Sequence, residues 1–414
     1  MPLNMARQSG QRDPLPPLVV DLAVTRRCNL RCKHCYLEAA DSTHPEELTT
    51  IEAINLLTDI ADVGGRFVAF DGGEPLLRDD IYQLVNHASR CGLGSILNTN
   101  GTLLSTEAAI RLKDAGLQIL TIGLKGHDAS SHHEFCGIEG SWERSLAGAG
   151  NASQAGVRCH LGICITHQSS NYVTEFAALA QSLKAEAIEF YRFVPIGRGK
   201  EHAEMVLTQD DEERVTTQII QHSNVGHLRY RCIALPQLWV AASKTNGNKS
   251  ASTLEKSPCT AGLYRCSIAY DGSVLPCEFL RKKAGNVRQT NFKEIWWNSE
   301  VLRKLRDQDK LEKKCGKCSH QQDCGGARCI VFDETGSLTK SLGCDWFSKD
   351  NGKEKSSAQG IGCWQCGEEA TTTCQICQNA LCARHSFPCP VCNATVCHPS
   401  VRACIYSHHC EGGQ

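Results

Sequence analysis

The chain has 414 residues, enough for two or three domains, and its 41% apolar content can bury a full core. Its 44 basic and 45 acidic side chains nearly cancel, which leaves nucleic acid no general electrostatic hold. No apolar run approaches the ~20 residues of a membrane span, and the polar, proline-rich stretch 1–17 lacks an apolar signal core. That stretch is expected to be a disordered tail on a cytoplasmic protein. Many of the 26 cysteines fall in pairs with two-residue spacers. In a reducing compartment such spacing argues for metal rather than disulfides.

From Leu18 onward, short β-branched runs alternate with stretches of helical apolar period. Strands are expected at Leu18–Val24, Arg66–Asp71, Gly94–Asn98, Gln118–Lys125, Val157–Thr166 and Ala187–Val194. The first helix opens on a Thr49-x-x-Glu52 capping box and carries Ile51, Ile54, Leu57 and Ile60. Others begin near Asp79, Ser105, Ser141 and Asn171. Six such repeats predict an α/β fold with a parallel sheet, a partial (β/α)6 barrel whose site lies at the C-terminal strand ends. A helical bridge, roughly Thr208 to Ala242, completes a first domain of residues 18–242.

The strand ends carry the candidate chemistry. Cys28-x3-Cys32-x2-Cys35 follows the first strand. A 4Fe–4S cluster takes four thiolates, so three leave one iron open, and an open metal position marks a reactive site. A zinc knuckle or part of a disulfide set would show the same spacing. Asp71-Gly72-Gly73-Glu74-Pro75 follows the second strand, where the glycines admit a ligand to the backbone and Glu74 offers a carboxylate to an ammonium group. Asn98-Thr99-Asn100-Gly101 and Pro195-Ile196-Gly197-Arg198-Gly199 follow the third and sixth. Each alone reads as a turn; together at one end of a sheet they mark a site.

A second cysteine module spans residues 258–347, with Cys259, Cys266, Cys277, Cys315, Cys318, Cys324, Cys329 and Cys344. Eight thiolates would close two cubanes, and zinc would also suit four-sulfur sites. Residues 361–414 hold Cys363-x2-Cys366, Cys374-x2-Cys377, Cys382-x2-His385 and Cys389-x2-Cys392, with few large apolar residues. The pairs suit tetrahedral zinc, and so short and polar a stretch needs metal to fold. It reads equally as a docking module or a structural cap. Cys91, Cys159, Cys164 and Cys232 read as small buried hydrophobes. Cys136 is expected in a loop facing the site, and Trp296-Trp297 in the core.

The cysteine triplet with Gly72-Gly73-Glu74-Pro75 resembles the radical S-adenosylmethionine superfamily over roughly residues 18–200. The resemblance implies that Cys28, Cys32 and Cys35 ligate a 4Fe–4S cluster. It also implies that Gly72, Gly73 and Glu74 bind the methionyl amine of S-adenosylmethionine, with Asn100 near its ribose or carboxylate and Ile196 and Gly197 near its adenine. The implied activity is reductive cleavage of S-adenosylmethionine to a 5′-deoxyadenosyl radical that takes a hydrogen atom from substrate, fed by a reductant such as flavodoxin or ferredoxin. The second module is similar to the SPASM extension of that family. This implies one auxiliary cluster on Cys259, Cys266, Cys277 and Cys329, and another on Cys315, Cys318, Cys324 and Cys344. The spacing from Cys324 to Cys329 is one residue longer than the common pattern. Glu278 matches an acidic residue proposed as a base in sulfatase-maturating relatives. The last segment is similar to B-box or cross-brace zinc fingers. The substrate expected from the resemblance is a peptide or protein to be oxidised or cross-linked. The alternative is a tetrapyrrole side chain, because Cys324 to Cys344 also resembles haem-d1 and alternative haem-pathway enzymes. A non-catalytic iron–sulfur or zinc scaffold is the reading from another class, opposed by the intact Gly72-Gly73-Glu74.

Overall fold

The computed structural model describes residues 15–235, 253–255 and 257–307, positions 238, 241, 242, 318, 320, 324–326 and 328, and four two-residue strands within 372–396. Six parallel strands form its centre in chain order: β1 (Val19–Thr25), β2 (Phe67–Gly72), β3 (Gly94–Thr99), β4 (Ile119–Leu124), β5 (Cys159–Ile165) and β6 (Ala187–Arg192). These match the expected strands to within two residues. Leu22, Val68, Phe70, Leu97, Ile122, Leu161 and Phe190 are buried on these strands. Alternating with them, Ala69, Asn98, Thr121, His160 and Glu189 line an internal cavity of about 460 Å³, as the period of two along a strand requires.

The sheet is wider than six strands. After α7 (Gln209–Ser223) the chain forms β7 (Arg229–Ile233), parallel to β6, where a helical bridge was expected. The reason is legible in its burial: Tyr230 and Cys232 are buried and Arg229, Arg231 and Ile233 are not, a period of two. On the other flank β8 (Arg265–Ile268) runs parallel to β1, and β9 (Ser273–Leu275) and β10 (Gly285–Asn286) continue it antiparallel. The expected second module thus shares a sheet with the barrel.

Helices α1 (Thr50–Asp62), α2 (Ile81–Arg90), α3 (Thr106–Asp114), α4 (Ala129–Cys136), α5 (Ser141–Gln154) and α6 (Val173–Ser182) connect the six central strands. The Thr49 capping box on α1 is present. Its buried face is Ala53, Leu56, Leu57 and Ile60, while Ile51 is 71% exposed. Of the expected face, Leu57 and Ile60 are buried and Ile54 is half-buried, so only Ile51 falls outside it. Cys136 is not in a loop but on the last turn of α4, a helix begun by the Asp128 cap and ended by Gly137 in the left-handed conformation. Beyond β10, α8 (Phe292–Asn298) buries Trp296 completely, and α9 (Glu300–Arg306) follows. Among the described residues no helix is long and apolar enough to cross a membrane.

The chain divides into a larger unit, Met1–Val240 with Thr253–Cys344, and a smaller one, Ala241–Ser252 with Asp345–Gln414. In the smaller unit β11 (Thr372–Thr373) pairs with β12 (Ala380–Leu381), and β13 (Phe387–Pro388) with β14 (Thr395–Val396), both antiparallel.

Candidate active site

The loop after β1 carries Cys28, Cys32 and Cys35 and is held by backbone bonds on every side. Cys28 N donates to Ala40 O, Arg31 N to Cys136 O and Lys33 N to Phe135 O. Two amides also donate to sulfur: Leu30 N to Cys28 Sγ at 3.4 Å and Ala39 N to Cys35 Sγ at 3.3 Å. The three cysteines pack with Cys136 in one buried cluster. Burial pushes the Cys28 thiol up to about 12 and raises that of Cys35. A hydrogen bond with Cys136, then burial, raises Cys32 well above the usual thiol range. Neutral thiols here become thiolates on binding metal.

Arg198, in the turn after β6, clamps the same loop. Its Nε donates to Cys32 O at 3.0 Å, its Nη1 to Ala39 O at 3.1 Å and its backbone N to Cys35 O at 3.1 Å. Its Nη2 is buried without a partner, as is His34 Nδ1. Orphaned donors beside three thiols fit an anionic sulfur-rich group. The expected adenine-site residues sit here too: a Cβ on Gly197 would lie 2.6 Å from Cys35 O, and Ile196 is buried. Sequence reading saw Arg198 only as one cation in a glycine turn; its role as a clamp comes from the fold.

The glycine strip is equally close to this loop. A Cβ on Gly72 would come 2.4 Å from Thr25 O, and one on Gly73 2.1 Å from Arg27 O. Glu74 is completely buried. Its carboxylate accepts from Thr99 Oγ1 at 2.7 Å, Asn100 N at 2.8 Å and Leu76 N at 3.1 Å. Burial pushes it up to about 7. Glu74 thereby ties the end of β2 to the end of β3. Asn100 is fixed in turn, donating to Asn29 Oδ1 and accepting from Thr102. The second, third and sixth strand ends thus converge on the cysteine loop.

Charged residues run deeper into the barrel. Tyr36 donates to Asp71 at 3.2 Å, and burial pushes Asp71 up to about 6. Arg265 on β8 grips Asp21 on β1 with two bonds of 2.5 and 2.6 Å. The buried His160 and Glu189 meet at 2.9 Å, and the half-buried Arg231 joins Glu189 at 3.1 Å. Glu278 is buried and its Oε2 has no partner. Burial and the nearby Asp21 carboxylate push it up to about 7. Cys259, Cys277 and Glu278 line the same cavity as His160, Glu189 and Arg265.

The second cysteine set surrounds β8. Cys266 lies on that strand, and Cys277 Sγ accepts from Leu280 N at 3.3 Å. Cys259 N donates to Cys324 O at 2.9 Å, so residues expected on different clusters abut. Cys318 Sγ accepts from His320 N at 3.4 Å. Among the described residues no three Cys, His, Asp or Glu converge as the ligands of a single ion would; a cubane instead spreads its ligands over separate irons. Cys315, Cys329 and Cys344 lie outside the described residues, as do Cys363, Cys366, Cys374, Cys377, Cys382, His385, Cys389 and Cys392.

The sequence matches the family model of the radical SAM superfamily over residues 22–180 and that of the SPASM iron–sulfur cluster-binding domain over residues 259–319. It is 32% identical over 344 residues to the AdoMet-dependent heme synthase of Oleidesulfovibrio alaskensis, covering 81% of this chain and 88% of that protein. It is likewise 32% identical to the AdoMet-dependent heme synthase of Methanosarcina barkeri, covering 77% of this chain and 93% of the other. Among solved structures it resembles Streptococcus suis SuiB bound to the precursor peptide SuiA, with TM-score 0.61 and 18% identity over 79% of this chain and 75% of SuiB. At that identity the likeness speaks for the fold. The 32% identity over 81% of the chain, with the two family models, shows the family: the chain is an enzyme of the radical SAM superfamily, with a SPASM iron–sulfur domain, and works with S-adenosylmethionine and iron–sulfur clusters.

Proposed function

We propose that the enzyme modifies a side chain of a tetrapyrrole by hydrogen abstraction. The carrying observation is the 32% identity, over 81% and 77% of the chain, to two proteins named AdoMet-dependent heme synthase. The cavity is compatible with it: Ile96, Ile119 and Phe279 give a largely apolar lining for a macrocycle, with the ion-paired Arg231 and Arg265 among its polar residues. S-adenosylmethionine, when reductively cleaved, supplies a 5′-deoxyadenosyl radical that takes a hydrogen atom from substrate. The chain's residues arrange that chemistry. Cys28, Cys32 and Cys35 would hold the radical-generating cluster. Gly72, Gly73 and Glu74 would bind the methionyl amine, Glu74 through its backbone because its buried carboxylate is already bonded to Thr99, Asn100 and Leu76. Asn100 would serve the ribose or carboxylate, and Ile196 and Gly197 the adenine. Arg198 keeps the cluster loop in register with the strand ends. Cys259, Cys266, Cys277 and Cys329 would hold one auxiliary cluster, and Cys315, Cys318, Cys324 and Cys344 the other. Glu278, buried beside Cys277 with one oxygen unpartnered, takes up a substrate proton. Cys363, Cys366, Cys374, Cys377, Cys382, His385, Cys389 and Cys392 would hold zinc, and a flavodoxin or ferredoxin would supply electrons.

A peptide or protein is the second reading, supported by the fold shared with SuiB, whose structure holds a precursor peptide. The two part on one experiment. Anaerobically reconstituted full-length enzyme is given dithionite, S-adenosylmethionine and either an iron porphyrin with propionate side chains or candidate peptides. The tetrapyrrole reading expects 5′-deoxyadenosine together with a porphyrin of altered mass. Altered peptide with unchanged porphyrin would reverse the choice.

A further inference from the structure

One cation beside the second cysteine set has no acceptor for most of its donors. Arg306, at the end of α9, donates from Nε to Gly262 O at 2.8 Å. Gly262 lies in the turn between Cys259 and Cys266, and its N donates to Arg265 O at 2.8 Å and Pro276 O at 3.3 Å. That turn is therefore joined to the residue before Cys277. The Arg306 guanidinium carbon lies 4.5 Å from the centre of the buried Trp296 ring. Its Nη1 and Nη2 are shut off from solvent, and neither has a hydrogen-bond partner among the described residues. Arg265, one strand position from Cys266, differs in that both of its bonded nitrogens meet Asp21. Desolvated guanidinium donors are costly unless an acceptor satisfies them. Sulfur is the acceptor chemistry this turn carries: Gly262, whose carbonyl holds Arg306 Nε, stands between Cys259 and Cys266 and is bonded to Pro276, the neighbour of Cys277.

We infer that Arg306 directs its two terminal nitrogens toward the sulfurs of the auxiliary cluster held by Cys259, Cys266 and Cys277, and thereby raises that cluster's reduction potential. The inference rests on those cysteines holding a cluster. The physical basis is that a reduced cluster carries more negative charge, which donors and a buried cation stabilise. Arg306 is a tuning residue that touches neither the radical cluster nor the substrate.

The test is a redox titration of the anaerobically reconstituted full chain, followed by electron paramagnetic resonance, with iron content measured in parallel. Arg306→Gln removes the charge. It should lower the auxiliary midpoint enough to cut the reduced fraction at a fixed potential by roughly tenfold, with the midpoint of the Cys28/Cys32/Cys35 cluster unmoved. Arg306→Lys keeps the charge with a different set of donors and should give a smaller shift of the same sign. An auxiliary midpoint unmoved in both variants overturns the inference while leaving the auxiliary-cluster reading intact. Wild-type protein holding iron at the first triplet only overturns that reading and the inference with it.

Discussion

The two cysteine regions flank the same strand yet gather their ligands in opposite ways. Cys28, Cys32 and Cys35 lie within one short loop at the end of β1, fixed by local backbone bonds and the Arg198 clamp. The second set hangs on β8, pairs across to β1, and draws its members from far along the chain. A local loop prepares its site through backbone geometry; a dispersed set depends on the sheet and on the metal itself to bring its members together. The triplet region should therefore tolerate loss of the other cluster, and the barrel should suffer most when its own buried contacts fail.

The largest effect is expected from Cys32→Ala, which should reduce S-adenosylmethionine cleavage to background while auxiliary signals persist in the spin resonance spectrum. Loss of both together would erase the contrast. Cys277→Ala should lower iron content by about four atoms per chain and stop substrate turnover, yet leave dithionite-driven 5′-deoxyadenosine formation without substrate within a few-fold of wild type. Among stability effects, Glu189→Gln should be the largest. Burial alone would raise the Glu189 carboxyl, but the His160 hydrogen bond and the Arg231 charge outweigh it and hold the group at about 2. Its stabilisation is therefore present above the ordinary glutamate value of about 4.3 and is lost as pH falls from there toward about 2. The variant should lose about 3 kcal/mol at neutral pH and this acid-dependent limb, read from urea midpoints across pH. Gly73→Ala forces a Cβ against Arg27 O and should cost about 1–3 kcal/mol, with weakened S-adenosylmethionine binding by calorimetry; unchanged binding would separate the strip from the cofactor. Thr49→Ala removes the exposed cap of α1 and should cost only about 1 kcal/mol without moving either cluster.

What could be read from the sequence follows the same division. The six central strands and the triplet were legible because their signals are local: β-branched runs, a capping box, glycines after strands. Strand β7 was hidden by charges at Arg229 and Arg231, which are held by ion pairs to Glu186, Glu189 and Glu255 and so make the strand read as polar. Helix α4 was missed because Ser131, His132 and His133 look like loop residues, although Asp128 caps them and His132 is fully buried. The Asp21–Arg265 pair, the Arg198 clamp and the orphaned donors of Arg306 join residues far apart in the chain, and no local pattern announces them. The pairing of the second cysteine set is of that kind too.

The most direct measurement uses a tetrapyrrole deuterated on its carboxylate-bearing side chains. With reduced, reconstituted enzyme and S-adenosylmethionine, a deuterium should appear in 5′-deoxyadenosine, and the porphyrin should be recovered modified. Unlabelled 5′-deoxyadenosine alongside unaltered porphyrin would contradict the assignment.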